Sequence, residues 1–498
     1  MILAFMSTSL SRSLIWLTLA EVLFNISGYV IHAVAGRVLG PADYGRYALV
    51  VTLTTTVIIL IGNGIPTAMS RYLSEYFEKS PRMVGTIKHT GARLQFFLIG
   101  GVTLVFFFAS PLIARLLGDP SLTPLFALSS LIIPAFAASS FYFYYFTGIH
   151  RFRTQAILKM TRAVLRIALI VSLVFAFGIY GALVGYILVP LCTFLFGFLL
   201  DRKSAVAFDT SAANTVEEPF PWKLLLSSAW PITLFLLFYE IFISIDLYLV
   251  KALLHDDVQT GLYNAALTLG RLPYYLFYAL SIVLLPALAK LKSDGDPEKV
   301  ARLMSQSLRY AGIILLPLFI LLFAYAEPTL ALFFGTKYAE AVDAFRVLVG
   351  GLSFLTIFYV ASSGLMGLGH TRLAMWMAIA GTLLNATLNI FLVPRFGIVG
   401  SAWSTTISST IITLATLALM QRYIRTPLHI SQSIRILLAG TLLFFATRLF
   451  PAHSIAFFTP ATLLGIGYLA TLFFLGVLTR EDLAAFTSFL PKKKGSSK

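Results

Sequence analysis

The chain has 498 residues, of which 58% are hydrophobic and only 12% are charged. Soluble domains carry roughly a quarter charged residues, so this composition excludes an ordinary soluble protein as well as a disordered or collagen-like chain. The single cysteine, Cys192, excludes an internal disulfide. The formal net charge is +16. Whether that charge indicates a nucleic-acid partner or a membrane topology depends on where the basic residues lie.

Fourteen apolar segments are long enough to cross a bilayer as helices, which requires about 20 mostly apolar residues each. Their uninterrupted apolar runs favour helices over the alternating pattern of a membrane β-barrel. The predicted spans lie near residues 14–36, 47–70, 94–114, 122–147, 158–177, 180–200, 224–250, 262–288, 310–326, 347–368, 373–393, 397–420, 433–449 and 456–478.

The basic residues are unevenly divided between the two sides that these spans define. Of the 37 lysines and arginines, 27 fall in alternate loops and the C-terminal tail, 8 fall in the other loops, and Arg166 and Arg271 lie within spans. Positive loops face the cytoplasm, so both termini are predicted to be cytoplasmic, with the protein in the cytoplasmic (inner) membrane. The excess positive charge is therefore explained by the orientation of the protein in the membrane, and no nucleic-acid partner is expected.

Short motifs recur in the same order in the two halves of the chain. Gly45-Arg46-Tyr47-Ala48 matches Gly261-Leu262-Tyr263-Asn264, and Gly178-Ile179-Tyr180-Gly181 matches Gly397-Ile398-Val399-Gly400. The turn Gly148–Arg151 is aligned with Gly369–Arg372. Because the repeat is offset by six spans, an even number, both halves have the same orientation, which predicts a parallel repeat with a site between two lobes.

The repeat predicts an all-α polytopic membrane protein with two six-helix lobes and two additional C-terminal helices. The predicted domains are an N-lobe (1–200), a cytoplasmic linker (201–222), a C-lobe (223–421), and spans 13 and 14 with a basic cytoplasmic tail (422–498). Two segments, Ser80–Arg93 and Asp296–Arg309, are interpreted either as interfacial helices or as solvated connectors.

Several of these motifs resemble those of the polysaccharide transporter family. They are the turn Gly40-Pro41-x-x-Tyr44-Gly45, the triplet Ser244-Ile245-Asp246, and the segment Gly261–Ala266. This family belongs to the multidrug/oligosaccharidyl-lipid/polysaccharide flippase superfamily. The resemblance implies two lobes that form a V and open alternately to each side. It also implies transport of lipid-linked oligosaccharides or of the peptidoglycan precursor lipid.

A stripe of three cations in span 5 is the strongest candidate site. Lys159, Arg162 and Arg166 are spaced three and four residues apart, so they share one helix face. Guanidinium groups match phosphate oxygens, and the stripe is therefore predicted to bind a pyrophosphate. The alternative for Lys159 and Arg162 is that they are positive-inside anchors whose side chains reach the interface.

Four other charges are predicted within spans, where they are costly and usually functional or paired. Glu21 and Glu240 are interpreted as cavity carboxylates that bind a coupling ion or sugar hydroxyls, or else as partners of a buried base. Asp246 and Arg271 are interpreted first as a salt bridge between spans 7 and 8, and alternatively as an outer gate.

The sequence therefore predicts a transporter, not an enzyme, that flips a polyprenyl-(pyro)phosphate-linked oligosaccharide by alternating access. No Walker A motif is present, and no cofactor or metal is expected, although coupling to H⁺ or Na⁺ is open. The expected partners are the lipid-linked oligosaccharide, membrane lipids and polysaccharide assembly proteins. The alternatives are an ion-coupled multidrug or cation exporter, a peptidoglycan-precursor flippase, and a membrane-embedded glycan polymerase or transferase.

Overall fold

The computed structural model describes residues 8–62, 64–80, 83–205, 221–424, 430–451 and 455–478. The described chain is almost entirely helical. The helices of the first lobe are α1 (Thr8–Gly62), α2 (Gly64–Lys79), α3 (Met83–Leu116), α4 (Thr123–Ser129), α5 (Ile132–Gly148), α6 (Phe152–Leu165) and α7 (Val171–Ala205). Those of the second are α8 (Trp222–Leu254), α9 (Asp257–Gly270), α10 (Leu272–Ser293), α11 (Pro297–Ala324), α12 (Ala326–Phe334), α13 (Val342–Gly367) and α14 (Thr371–Tyr423). The last two helices are α15 (Ile430–Leu449) and α16 (Phe458–Phe474).

The predicted spans are confirmed as helices, but several are joined or broken differently from the prediction. The helical stretches Phe152–Arg202 and Thr371–Tyr423 each contain two predicted spans, and Leu19–Ile59 contains most of one and part of the next. From Met83 and Pro297 onward, the segments predicted as interfacial helices or connectors are instead parts of α3 and α11, which continue without a break into the membrane spans. Residues 81 and 82 lie outside the described residues. Val84 and Val300, in the first turns of these two helices, are buried against the rest of their lobes. The packed part of each helix therefore begins before the apolar segment that was predicted to cross the membrane.

The internal repeat is visible in the backbone as well as in the sequence. Gly178 interrupts α7 at φ 57° and ψ −134°, and Gly397 interrupts α14 at φ 57° and ψ −141°. Only glycine adopts such angles readily, so each kink requires the residue that the sequence motif supplies. Two helices of each lobe are therefore joined by the same tight turn.

A second turn corrects the predicted alignment of the two halves. The backbone hydrogen bonds that close the turn after α5 recur in the turn after α13, where His150 and Gly369 hold the same positive-φ position at 59° and 83°. His150 therefore corresponds to Gly369, and Gly148 to Gly367. The sequence alignment of Gly148 with Gly369 was wrong by two residues, because it matched glycine to glycine without the hydrogen-bond pattern.

The two lobes meet where α1 crosses α9, at a pair of glycines that are equivalent in the repeat. A methyl group on Gly261 would overlap the carbonyl oxygen of Pro41 and lie 3.1 Å from the backbone nitrogen of Gly45. A methyl group on Gly45 would overlap the carbonyl oxygen of Asp257 and lie 2.7 Å from the backbone nitrogen of Gly261. The contact therefore lies near the pseudo-twofold axis and is made by backbone alone. We call this end of the lobes, which is predicted to face outward, the outer end.

Among the described residues, the two C-terminal helices pack on the second lobe. Ile436, Ala439 and Leu443 of α15 share a buried cluster with Ile313 and Ile320 of α11. Most of the predicted linker and all of the tail from residue 479 onward lie outside the described residues. The domain boundaries at residues 200, 222 and 421 stay predictions.

The glycine contact predicts that Gly261→Ala prevents closure of the outer end. The added methyl group overlaps a backbone carbonyl that cannot move without the lobe. We expect the distance between the lobes at this end to increase. Spin labels at Arg115 and Glu340, which are exposed and lie in different lobes, report that distance by pulsed EPR after Cys192 is replaced by serine.

Gly312→Ala is the matched control, since a methyl group there meets no atom within 4 Å among the described residues. An unchanged label distance in Gly261→Ala would contradict the assignment of this contact.

Candidate functional site

The predicted cationic stripe faces α1, where Glu21 and Phe24 contact it. Lys159 forms an ion pair with Glu21. The cations of Lys159, Arg162 and Arg166 all approach the ring of Phe24, with distances to its centroid of 5.3, 5.6 and 4.5 Å. The spacing predicted from sequence is therefore confirmed as one face, and Glu21 has the basic partner that was one of its two interpretations.

Arg162 is buried inside the first lobe. Its side chain is 6% exposed, and its guanidinium lies 4.3 Å from the ring centroid of Phe136 and 5.6 Å from that of Phe143. Its Nε has no hydrogen-bond partner among the described residues. Arg162 is therefore held by aromatic faces, and the interpretation as an anchor that reaches the interface does not fit this burial.

Arg166 occupies the deepest position of the stripe and begins a π-helical turn, Arg166–Ile170. Its guanidinium contacts the rings of Phe24 and Tyr186, at 4.5 and 5.9 Å from their centroids. Within the described part of the chain it has neither a carboxylate partner nor a hydrogen bond. Such turns often occur at functional sites. This partly exposed arginine therefore has donors available for an anion.

Arg271 lies at the break between α9 and α10 in the second lobe. It donates from Nη2 to the carbonyl oxygen of Ile243 and to Oγ of Ser244, both at 2.9 Å. The Ser244 hydroxyl in turn donates to Oε1 of Glu240 at 3.3 Å. One serine thus connects the arginine to the half-buried carboxylate that was predicted to line the cavity.

Asp246 and Arg271 do not form the predicted ion pair. The Asp246 carboxylate accepts hydrogen bonds from Tyr263 at 2.6 Å, from Asn385 at 3.3 Å and from Thr405. These partners lie on α9 and α14, and together they occupy a carboxylate that is 0% exposed. The sequence prediction was wrong because partners distant in sequence satisfy Asp246, while the Arg271 guanidinium bonds to the preceding turn of α8.

Arg166 and Arg271 belong to different lobes, and both interact electrostatically with the same tyrosine. Both charges lie within electrostatic reach of the Tyr275 hydroxyl and of the His32 ring. The ring of Tyr29, on α1, meets that of Tyr275, on α10, with centroids 6.0 Å apart. Sequence reasoning missed Tyr29 and His32, which carry no charge and belong to no motif.

The charged residues of this region have a net positive balance. Among the described residues, the four cations Lys159, Arg162, Arg166 and Arg271 are accompanied by three carboxylates, Glu21, Glu240 and Asp246. Because Lys159 and Glu21 neutralise each other, the excess belongs to the arginines. A region between two lobes with this balance attracts an anion.

A separate network of charges surrounds the glycine contact at the outer end. Lys251, only 2% exposed, binds Asp119 of the first lobe at 3.0 Å and also pairs with Asp257. Arg46 of the first lobe lies 3.9 Å from Asp257 of the second. Burial raises the pKa of Asp119, but hydrogen bonds from Ser121 and Lys251 outweigh it, and the pKa is lowered overall. Asp119 therefore stays ionised at neutral pH.

Sequence comparison matches residues 10–292 to the family described as Polysaccharide biosynthesis protein. A second family, described as MatE, matches residues 231–391. An uncharacterized membrane protein of Methanocaldococcus jannaschii is 25% identical over 416 residues, which cover 80% of this chain and 95% of the relative. The succinoglycan biosynthesis transport protein ExoT of Rhizobium meliloti is 24% identical and covers 75% of this chain and 76% of its own length.

Among solved structures, the lipid II flippase MurJ in an inward closed conformation has a similar fold. Its TM-score is 0.73 at 19% identity, covering 92% of this chain and 98% of that structure. An inward-facing multidrug transporter of the MATE family has a TM-score of 0.66 at 17% identity, covering 81% and 94%. These similarities establish the fold, with two lobes and about fourteen membrane helices.

The outer network predicts that Lys251→Met weakens closure of the outer end. Removing the ammonium group leaves the carboxylates of Asp119 and Asp257 close together without their shared cation, and like charges repel. We expect labels on the two lobes to report a larger fraction of molecules with the outer end open.

Lys299→Met is the matched control, because the ion pair that Lys299 forms among the described residues is with Asp296, three residues away on the same turn. If Lys251→Met and Lys299→Met give the same distribution of label distances, the network does not hold the lobes together.

Proposed function

The chain belongs to the polysaccharide biosynthesis protein family, and on that premise we propose that it is a flippase for a polyprenyl-diphosphate-linked oligosaccharide. The substrate would move from the cytoplasmic to the outer leaflet of the cytoplasmic membrane, with both protein termini in the cytoplasm. The observation that carries this proposal is the net positive region between the lobes, where Arg166 contacts aromatic rings, Arg271 bonds to a carbonyl and a serine, and neither has an ion pair with a carboxylate among the described residues.

The proposed headgroup site joins the two lobes. Arg166 of the first lobe donates to one side of the diphosphate, and Arg271 of the second donates to the other. An arginine in low dielectric without a carboxylate is costly, so a bound dianion offsets that cost. Arg271 thus belongs to the binding site in this proposal, and not to an outer gate with Asp246.

The other two cations of the stripe have different proposed roles. Arg162 is enclosed by rings, so it supports the positive potential without a direct contact to the headgroup. Lys159 is paired with Glu21, and it binds phosphate only when that pair opens. Of the two carboxylates predicted to line the cavity, Glu240 is therefore the better candidate for a coupling ion, H⁺ or Na⁺.

Translocation follows from the contact at the outer end. With Gly45 and Gly261 in contact, the headgroup enters from the cytoplasmic leaflet while the polyprenyl chain stays in lipid. Opening of the outer network then exposes the sugars to the outside, where assembly proteins consume the product. Transfer of the peptidoglycan precursor lipid is a variant of the same proposal, since it has the same diphosphate.

The second candidate function is an ion-coupled exporter of multidrug or other cationic compounds, which the match to the MatE family favours. Such a protein uses its carboxylates to bind cations. Here one of the two candidate carboxylates, Glu21, is already neutralised by Lys159. The charge balance therefore supports the flippase over the exporter.

The flippase proposal predicts that Arg166→Ala strongly slows export. Loss of a charged hydrogen bond to the diphosphate, worth about 1.5–3 kcal/mol, lowers the rate by about tenfold or more. Mass spectrometry of polyprenyl-linked sugars should show one complete intermediate building up in cells that carry only this variant. Arg166→Lys should restore part of the activity, because the charge is kept and the planar fork is lost.

Arg395→Ala is the control, since Arg395 is exposed and its hydrogen bond is to the carbonyl oxygen of Phe391 in its own helix. Immunoblots of the membrane fraction should show equal amounts of all variants. Normal export by Arg166→Ala, or no intermediate together with new sensitivity to cationic dyes, would contradict the proposal.

A further inference from the structure

Tyr29 has a buried hydroxyl group without a hydrogen-bond partner among the described residues. The ring is partly exposed, whereas the oxygen at its tip is enclosed. A buried hydroxyl is normally satisfied, because leaving it unpaired forfeits the bonds it would make with water. Phenylalanine would fill the same space without that cost. The hydroxyl therefore has its hydrogen-bonding capacity free for a partner from outside the described residues.

The surroundings of Tyr29 are aromatic and come from both lobes. Its ring meets the edge of Tyr275 at 6.0 Å and 85°, and that of Phe333 at 6.5 Å and 67°. Beyond Tyr275 the wall continues through Tyr274, whose ring centroid lies 5.3 Å from that of Tyr275 and 5.4 Å from that of Tyr239. The Tyr239 hydroxyl also has no partner among the described residues.

This wall lies next to the proposed diphosphate site. A methyl group on Gly28, the residue before Tyr29, would lie 3.8 Å from Nη2 of Arg166, and the charges of Arg166 and Arg271 both lie within electrostatic reach of Tyr275. In a polyprenyl-diphosphate-linked oligosaccharide, the first sugar is bonded directly to the diphosphate. A headgroup held by the two arginines therefore places that sugar beside these rings.

Tyrosine rings suit a sugar better than they suit the other parts of this substrate. A pyranose has faces of C–H bonds that pack on an aromatic ring, and hydroxyl groups around its rim that bond to a tyrosine hydroxyl. A polyprenyl chain offers no hydrogen-bond partner. A diphosphate would find the stronger guanidinium donors nearby.

We propose that Tyr29 and Tyr275 form a subsite for the diphosphate-linked sugar, with the Tyr29 hydroxyl bonded to a sugar hydroxyl. This inference rests on the flippase function proposed above. The two rings belong to opposite lobes and touch each other in the present arrangement. A sugar that enters between them separates α1 from α10, so occupancy of the subsite changes the relative position of the lobes.

The test compares two soluble probes on the purified full-length protein in nanodiscs. One probe is geranyl diphosphate, and the other is a set of geranyl-diphosphate-linked sugars that carry glucose, galactose or N-acetylglucosamine. Isothermal titration calorimetry gives the affinity of each. For the sugar that binds best, we expect Tyr29→Phe to weaken binding by about tenfold, the effect of one lost hydrogen bond to a sugar hydroxyl. Binding of bare geranyl diphosphate should change by less than about twofold.

Tyr468→Phe is the matched control. The Tyr468 hydroxyl is likewise buried without a partner among the described residues, but it lies on α16, outside both lobes. This variant should bind both probes as the wild type does. Since Tyr→Phe removes only the hydroxyl, and the Tyr29 hydroxyl bonds to nothing in the described chain, the Tyr29→Phe variant should fold normally.

The outcomes separate the subsite from the function on which it rests. Equal weakening of both probes in Tyr29→Phe would assign the hydroxyl to the diphosphate and overturn the sugar subsite. No change in either probe would also overturn it, and Arg166-dependent binding of geranyl diphosphate would then leave the flippase proposal intact. A wild-type protein that binds no probe of either kind would overturn both proposals.

Discussion

The arrangement of the two lobes depends on a contact between backbones at Gly45 and Gly261. These glycines are equivalent in the internal repeat, and neither has space for a methyl group. The absence of side chains lets α1 and α9 approach until their peptide groups touch. Lys251, Asp119 and the other charges of the outer network then surround a contact that is already formed. With this end closed, Arg166 of one lobe and Arg271 of the other both lie within electrostatic reach of Tyr275.

The arginines between the lobes contact groups that do not neutralise their positive charge. Arg162 and Arg166 lie against aromatic rings, and Arg271 bonds to a backbone carbonyl and a serine hydroxyl. Cation–π contacts and neutral acceptors stabilise guanidinium groups without cancelling their charge. An anion is therefore more strongly attracted than it would be to arginines paired with carboxylates. The cost of the unpaired charges is consistent with a binding role, in the way that functional sites often keep unfavourable features.

The sequence predicted the helices, the repeat and the face shared by Lys159, Arg162 and Arg166, because each of these follows from local periodicity. Apart from a basic partner for Glu21, which was one of two interpretations, it did not predict what the charges contact. The pairing of Asp246 with Arg271 was wrong because α14, more than a hundred residues away in sequence, supplies Asn385 and Thr405 to Asp246.

Other features left too little trace in the sequence to be found. The π-helical turn at Arg166 has no known signature in the residues that form it, and Tyr29 is one tyrosine among 22. Its unpartnered hydroxyl is visible only once the lobes are assembled, since the rings of Tyr275 and Phe333 that surround it come from the other half of the chain.

The most direct test of the account is a translocation assay with the purified protein in proteoliposomes. A polyprenyl-diphosphate-linked oligosaccharide is placed in the lipid, and a sugar-modifying enzyme added to the outside reports how much of it is accessible with time. The account predicts that the protein brings the protected pool of this lipid to the outer leaflet, and that excess geranyl diphosphate slows the process while a cationic dye does not. Transport of the dye together with no movement of the lipid would contradict it.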